Sequence, residues 1–151
     1  MDTRIAAATV LGAVRVSGGV SGATLVGPGG VGALRFGSVS STTIVAGLAP
    51  GSAVPTTFPT TAPAFANPRA SVRSLTVARG GSFANTLVLA PTIGSASLGA
   101  VNTSNAGRPF GLFADAVGSV RVSIAGDPVS SIKASKTASV FSRTDFRVQV
   151  V

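Results

Sequence analysis

The chain has 151 residues and a formal net charge of +8, from 12 Lys and Arg against 4 acidic residues, with only 11% of residues charged and no Cys. That length suits one domain with a real core. The missing Cys excludes disulfides and thiolate metal sites. The sparse charge argues against a specific nucleic-acid partner. Apolar residues make up 45%, beside 19 Gly and many Ser and Thr, whereas Glu is absent and Met occurs once; the mixture favours β-branched strands between tight turns. No apolar run approaches the roughly 18 residues of a membrane-spanning helix. Residues 5–14 after Arg4 have the outline of a signal-peptide core, but Asp2 and Arg15 flank them and their end belongs to a repeat. They make no convincing signal peptide.

In chain order, residues 4–9 look like the second half of a repeat whose first half is missing, because Ile5-Ala6 falls where Leu25-Val26 and Ile44-Val45 fall later. The clearest repeat follows. Leu11-Gly-Ala-Val-Arg-Val16 returns twenty residues on as Val31-Gly-Ala-Leu-Arg-Phe36, and Val20-Ser-Gly-Ala-Thr-Leu-Val26 is answered by Val39-Ser-Ser-Thr-Thr-Ile-Val45. A fixed period of this length marks stacked repeats that bury their side chains against neighbours above and below. Within each copy the alternation sends Val14, Val16, Leu34 and Phe36 inward and Arg15 and Arg35 outward.

Residues 48–70 interrupt the pattern with five of the nine prolines, and Pro cannot donate to a strand ladder. A loop is expected here, folded back on the body by Phe58 and Phe65. The repeat resumes at Val72-Arg-Ser-Leu-Thr-Val77, 41 residues after Val31, and again at Ile93-Gly-Ser-Ala-Ser-Leu98, 21 residues later. A polar excursion over 102–108 precedes Val117-Gly-Ser-Val-Arg-Val122. From Asp127 the pattern fades into a degenerate coil over 127–151, and 141–151 reads as one closing strand. The expected fold is all-β, a single parallel β-solenoid domain over 1–151 with roughly five coils. Its inward ladder includes Val14, Val16, Leu34, Phe36, Leu75, Val77, Leu98, Val120 and Val122. An antiparallel β-sandwich is the rival; it explains the composition but not the register of the repeat.

The set Leu11-Gly-Ala-Val, Val31-Gly-Ala-Leu, Ile93-Gly-Ser-Ala and Val117-Gly-Ser-Val, with Gly-rich turns between, resembles the degenerate repeats of right-handed parallel β-helix regions in large secreted bacterial surface proteins. The resemblance covers most of the chain outside 48–70. It implies a stalk or adhesive surface, extracellular or cell-surface, forming the C-terminal part of something longer. An uncapped first coil also predicts end-to-end self-association.

Candidate chemistry is thin. Gly27-Pro-Gly29-Gly-Val-Gly32 has dinucleotide-loop spacing but is followed by strand residues, with no acid between Asp2 and Asp115 to hold a ribose. Ser130-Ser-Ile-Lys133 fits a Ser/Lys nucleophile spacing but lacks the companion motifs. Asp115, Asp127 and Asp145 are the only candidates for a degenerate polysaccharide-acting enzyme, and their spacing does not place them on one strand face. With no His, Glu, Cys or Tyr, acid-base chemistry has few players, so no enzyme, cofactor or metal site is expected. Arg15, Arg35 and Arg121 share one repeat slot, with Thr76 and Ser97 between them. They form an outward column that either binds an acidic polysaccharide or other surface polymer or only deters edge aggregation. Thr24, Thr43 and Thr86 are expected to share another slot, a column suited to ice binding on a flat face and otherwise explained by β-propensity.

Overall fold

The structure, a computed structural model, describes residues 3–61, 63–124, 130–135 and 139–151, with the backbone alone for 130–135 and 139. Every regular element among them is a strand: β1 (Thr3–Ala6), β2 (Val10–Leu11), β3 (Val14–Ser21), β4 (Ala23–Gly27), β5 (Gly30–Ser40), β6 (Thr43–Ala46), β7 (Ser71–Val77), β8 (Ser82–Ala84), β9 (Leu87–Val101), β10 (Phe110–Ile124), β11 (Ser130–Ser135), β12 (Ser139–Arg143) and β13 (Phe146–Val150). Eleven of their thirteen pairings are parallel. That excludes the antiparallel sandwich, whose neighbouring strands would run in opposite directions.

The pairings fall into three faces. On face A, β1, β4, β6 and the first parts of β9 and β10 lie side by side and end on β13. Leu25, Ile44, Val88, Leu112 and Val148 form one column through it. On face B, Val14 sits beside Leu34, Leu34 beside Leu75, Leu75 beside Ala96 and Ala96 beside Val120. Face C is shorter and stacks Val39, Phe83, Val101 and Ile124. β5 and β9 are long enough to turn a corner, so each contributes to face B and to face C; β5, β7, β9 and β8 therefore close a ring.

The apolar columns meet in one interior. Leu34, Ile44, Leu75, Val88, Ile93, Leu98 and Leu112 are fully buried, and Phe83, Phe110 and Phe146 pack with centroids 5.7 to 6.2 Å apart. Val14 and Val16, near the edge of the stack, are only partly buried. Close stacking needs backbone room at the corners. A methyl on Gly81 would collide with the Gly37 carbonyl, and one on Gly118 with the Gly94 carbonyl, so neither site admits a side chain.

The described residues of 48–70 contain no strand and pack on the outer side of face A. Val45, Leu89 and Phe113 point opposite to Ile44, Val88 and Leu112, yet all three are buried. Phe58 lies edge-on to Phe113 with centroids 5.9 Å apart, and Phe65 is partly buried against the core. The return of the loop is fixed by the Asn67 amide donating to the Gly47 carbonyl at 3.1 Å and the Arg69 amide donating to Asn67 Oδ1 at 3.0 Å.

Three details depart from the sequence reading. β11 runs antiparallel to β10, an orientation that a parallel repeat does not produce and that pairs through the perpendicular bonds of an antiparallel ladder. Residues 141–151 are two strands, since β12 turns at Thr144 (φ 50°) and pairs antiparallel with β13. Thr43 pairs with Leu87 and not with Thr86.

Candidate functional site

The arginine slot exists as a physical column. Arg15 pairs with Arg35, Arg35 with Thr76, Thr76 with Ser97 and Ser97 with Arg121, one register running along the outer side of face B. Alternation places these side chains outward because Leu34, Phe36, Leu75, Val77, Val120 and Val122 take the interior. At about 4.8 Å per rung, Arg15 and Arg35 are one rung apart, and Arg121 stands three rungs beyond Arg35, about 14 Å along the stack. All three arginines are exposed, and among the described residues none has an ion pair or hydrogen-bond partner. Arg15, Arg35 and Thr76 line a shallow groove of about 350 Å³ over Val16 and Phe36. The row beside it carries Ala33, Ser74, Ser95 and Ser119, so the face is flat, small-chained and free of carboxylates among the described residues.

The acidic residues do not converge. Asp115 is exposed on β10, while Asp145 precedes β13, where Oδ2 accepts from the Asn105 amide at 2.6 Å and the Gly107 amide at 3.0 Å. Asp145 flanks the Phe110–Phe146 pair and Asp115 follows the Ala114–Val150 pair, so six residues of extended strand, about 20 Å, separate the two rows. A glycosidase pair needs about 10 Å or less. Asp127 lies outside the described residues. No cluster of three metal-ligating side chains occurs among the described residues. In the Gly27–Gly32 stretch Gly27 ends β4, Pro28 and Gly29 turn, and Gly30 begins β5, so a strand and not a helix N-terminus follows it. Ser130 and Lys133 lie on β11, opposite Val122 and Ser119.

The threonine column is not formed as expected. Thr86 is fully buried and falls beside Thr42, which is also buried, and each hydroxyl donates to the carbonyl two residues before it at 2.8 Å. Only Thr24 and Thr43 stay paired. The buried pair satisfies its own polar groups locally.

Sequence reasoning missed a polar corner between faces C and A. Gly22, Ser41 and Asn85 occupy equivalent positions there, all with positive φ, 64°, 48° and 42°. Asn85 Nδ2 donates to Ser41 Oγ at 3.2 Å, and Asn105 Nδ2 donates to Asn85 Oδ1 at 2.9 Å and to the Arg108 carbonyl at 2.8 Å. With Asp145 holding the turn at 105–107, the chain segments at Ser41, Asn85, Asn105 and Asp145 are tied by side-chain hydrogen bonds. The separations of 44, 20 and 40 residues lie near multiples of the repeat, and that was the signal available. No protein-family description, curated protein or solved structure matches the chain.

Proposed function

We propose that this all-β chain is a right-handed parallel β-solenoid of roughly five coils, from its period of about twenty residues, serving as a non-catalytic structural or adhesive module of a secreted or cell-surface bacterial protein. The observation that supports this most is the unbroken parallel register on face B, from Val14 through Leu34, Leu75 and Ala96 to Val120. Such a stack puts its residues into a long surface and, among the described residues, offers no converging acid-base pair. The test is brief protease treatment of intact cells of the native source. Peptides cut from residues 48–70 and released into the medium are expected; peptides found only in the cytosolic fraction would refute the placement. A crystal structure with left-handed coils would overturn the handedness.

A second reading is favoured by the Arg15–Arg35 pairing. Two cations one rung apart, with no acid among the described residues to neutralise them, raise the local potential toward a polyanion. The face would then bind an acidic polysaccharide along the stack. Binding to polygalacturonate should weaken steeply with added salt, and salt-independent binding would eliminate this reading.

A further inference from the structure

Where face B turns into face C, the groove with Arg121 contains a second arginine outside the repeat slot. Arg79, on the turn between β7 and β8, joins Arg121, Ser97 and Ser123 around a groove of about 580 Å³. Both arginines are exposed and have no partner among the described residues. The groove owes its shape to a bulge. Arg121 pairs with Ser97 but Ser123 pairs with Ala100, so Leu98 and Gly99 together oppose Val122. Gly99 takes φ 62° and packs under the Gly81 carbonyl. A bulge with glycine in the left-handed region bends its strand and re-aims the neighbouring side chains. Here it sets two arginines and two hydroxyls around one opening.

We infer that this groove is a binding site for a tetrahedral oxyanion, a sulfate ester or phosphate monoester carried on a glycan. Each guanidinium presents a planar fork suited to two oxygens. A carboxylate has two oxygens and fills one fork, leaving the second arginine and both serines unused. A sulfate or phosphate group offers three terminal oxygens in different directions and can engage both forks and the hydroxyls. Val77 and Val122 beneath the groove are buried, so recognition falls to the two guanidinium groups and the hydroxyls at its rim. This site rests on the polyanion reading of face B and narrows it to a chemical group and a place.

The experiment is a titration of the isotope-labelled chain at fixed ionic strength, followed by backbone amide shifts. The probes are a sulfated dextran fragment, the same dextran unsulfated, polygalacturonate, inorganic sulfate and inorganic phosphate. The sulfated fragment is expected to move Gly80, Gly99 and Ser123, and the neutral dextran to move none of them. Arg79→Ala and Arg121→Ala should each weaken it by roughly tenfold or more. Inorganic sulfate or phosphate acting on the same amides far more weakly supports a glycan-borne ester; binding as tightly as the fragment overturns the glycan part. Equal affinity for polygalacturonate at these residues overturns the tetrahedral assignment. If Arg79→Ala binds like the wild type while Arg15→Ala/Arg35→Ala loses affinity, the two-arginine site is refuted and the column reading stands. If neither variant changes the affinity, both fall. Arg79 is an exposed turn residue, and an unchanged melting temperature of Arg79→Ala confirms that the fold is intact.

Discussion

Replacing Phe58 with Ala tests whether residues 48–70 are clamped or loosely draped. The ring is 8% exposed and lies edge-on to Phe113. Burying a phenyl side chain contributes about 1.5 to 3 kcal/mol, and an aromatic pair adds about 0.5 to 1.5 kcal/mol. The loop therefore loses about 3 kcal/mol of its docking energy, and its opening becomes about a hundredfold more frequent. The faces beneath keep their own pairing, so the effect is local and not global. Thermolysin cleavage within 48–70 under native conditions tracks the open population and should accelerate by about two orders of magnitude. Phe113→Ala is the contrast, because Phe113 is fully buried and packs between loop and strands. It should lower global stability by about 3 to 5 kcal/mol in urea. Unchanged loop cleavage in Phe58→Ala, or cuts scattered through the strands, would refute the clamp.

Further outcomes follow from the same geometry. Gly81→Ala should cost about 2 kcal/mol or more in urea denaturation, while Gly12→Ala, with nothing within 4 Å of the added methyl, should cost little; equal costs would contradict the stacked corner. Asp145→Ala removes an acceptor shared by the Asn105 and Gly107 amides and should cost about 2 kcal/mol, with faster hydrogen exchange at those two amides and recovery in Asp145→Asn. Among the described residues β1 pairs only with β4, and β2 and β3 only with β5, leaving Ile5 and Val10 exposed at one edge. Light scattering should show concentration-dependent association that Ile5→Lys/Val10→Lys suppresses, and a monomer at every concentration would contradict it.

The parts of the fold legible in the sequence are those where one face is buried and the other is not. Val31, Val72, Ile93 and Val117 stack as their repeat spacing implies, and the arginine slot falls in register because Arg15, Arg35 and Arg121 each sit between two inward apolar residues. Face A hides its register for the opposite reason. Leu87 to Ala90 are all buried, since the loop covers their outer side, so alternation disappears and a slip of one residue leaves the apolar pattern unchanged. That slip put Thr86 where Leu87 belongs. β11 and β12 were illegible because antiparallel returns carry no twenty-residue period. The Ser41, Asn85, Asn105 and Asp145 corner carries only its spacing as a signal, because Ser, Asn and Asp share one hydrogen-bonding task and no single residue type recurs through it.

Which surface can recognise anything follows from what is already occupied. The outer side of face A lies under Phe58 and its neighbours, with Val45, Leu89 and Phe113 sealed. At the polar corner, amide and carboxylate groups are spent on one another and on the turn at 105–107. The outer side of face B has neither cover nor internal partners, and its arginines remain unmatched among the described residues. A flat array with one rung every 4.8 Å or so suits an extended polymer better than a compact small molecule, because each added rung adds contact without a pocket. The bulge at Gly99 interrupts that flatness beside Arg121, and the groove proposed there would let the surface distinguish the group a polymer carries as well as its charge.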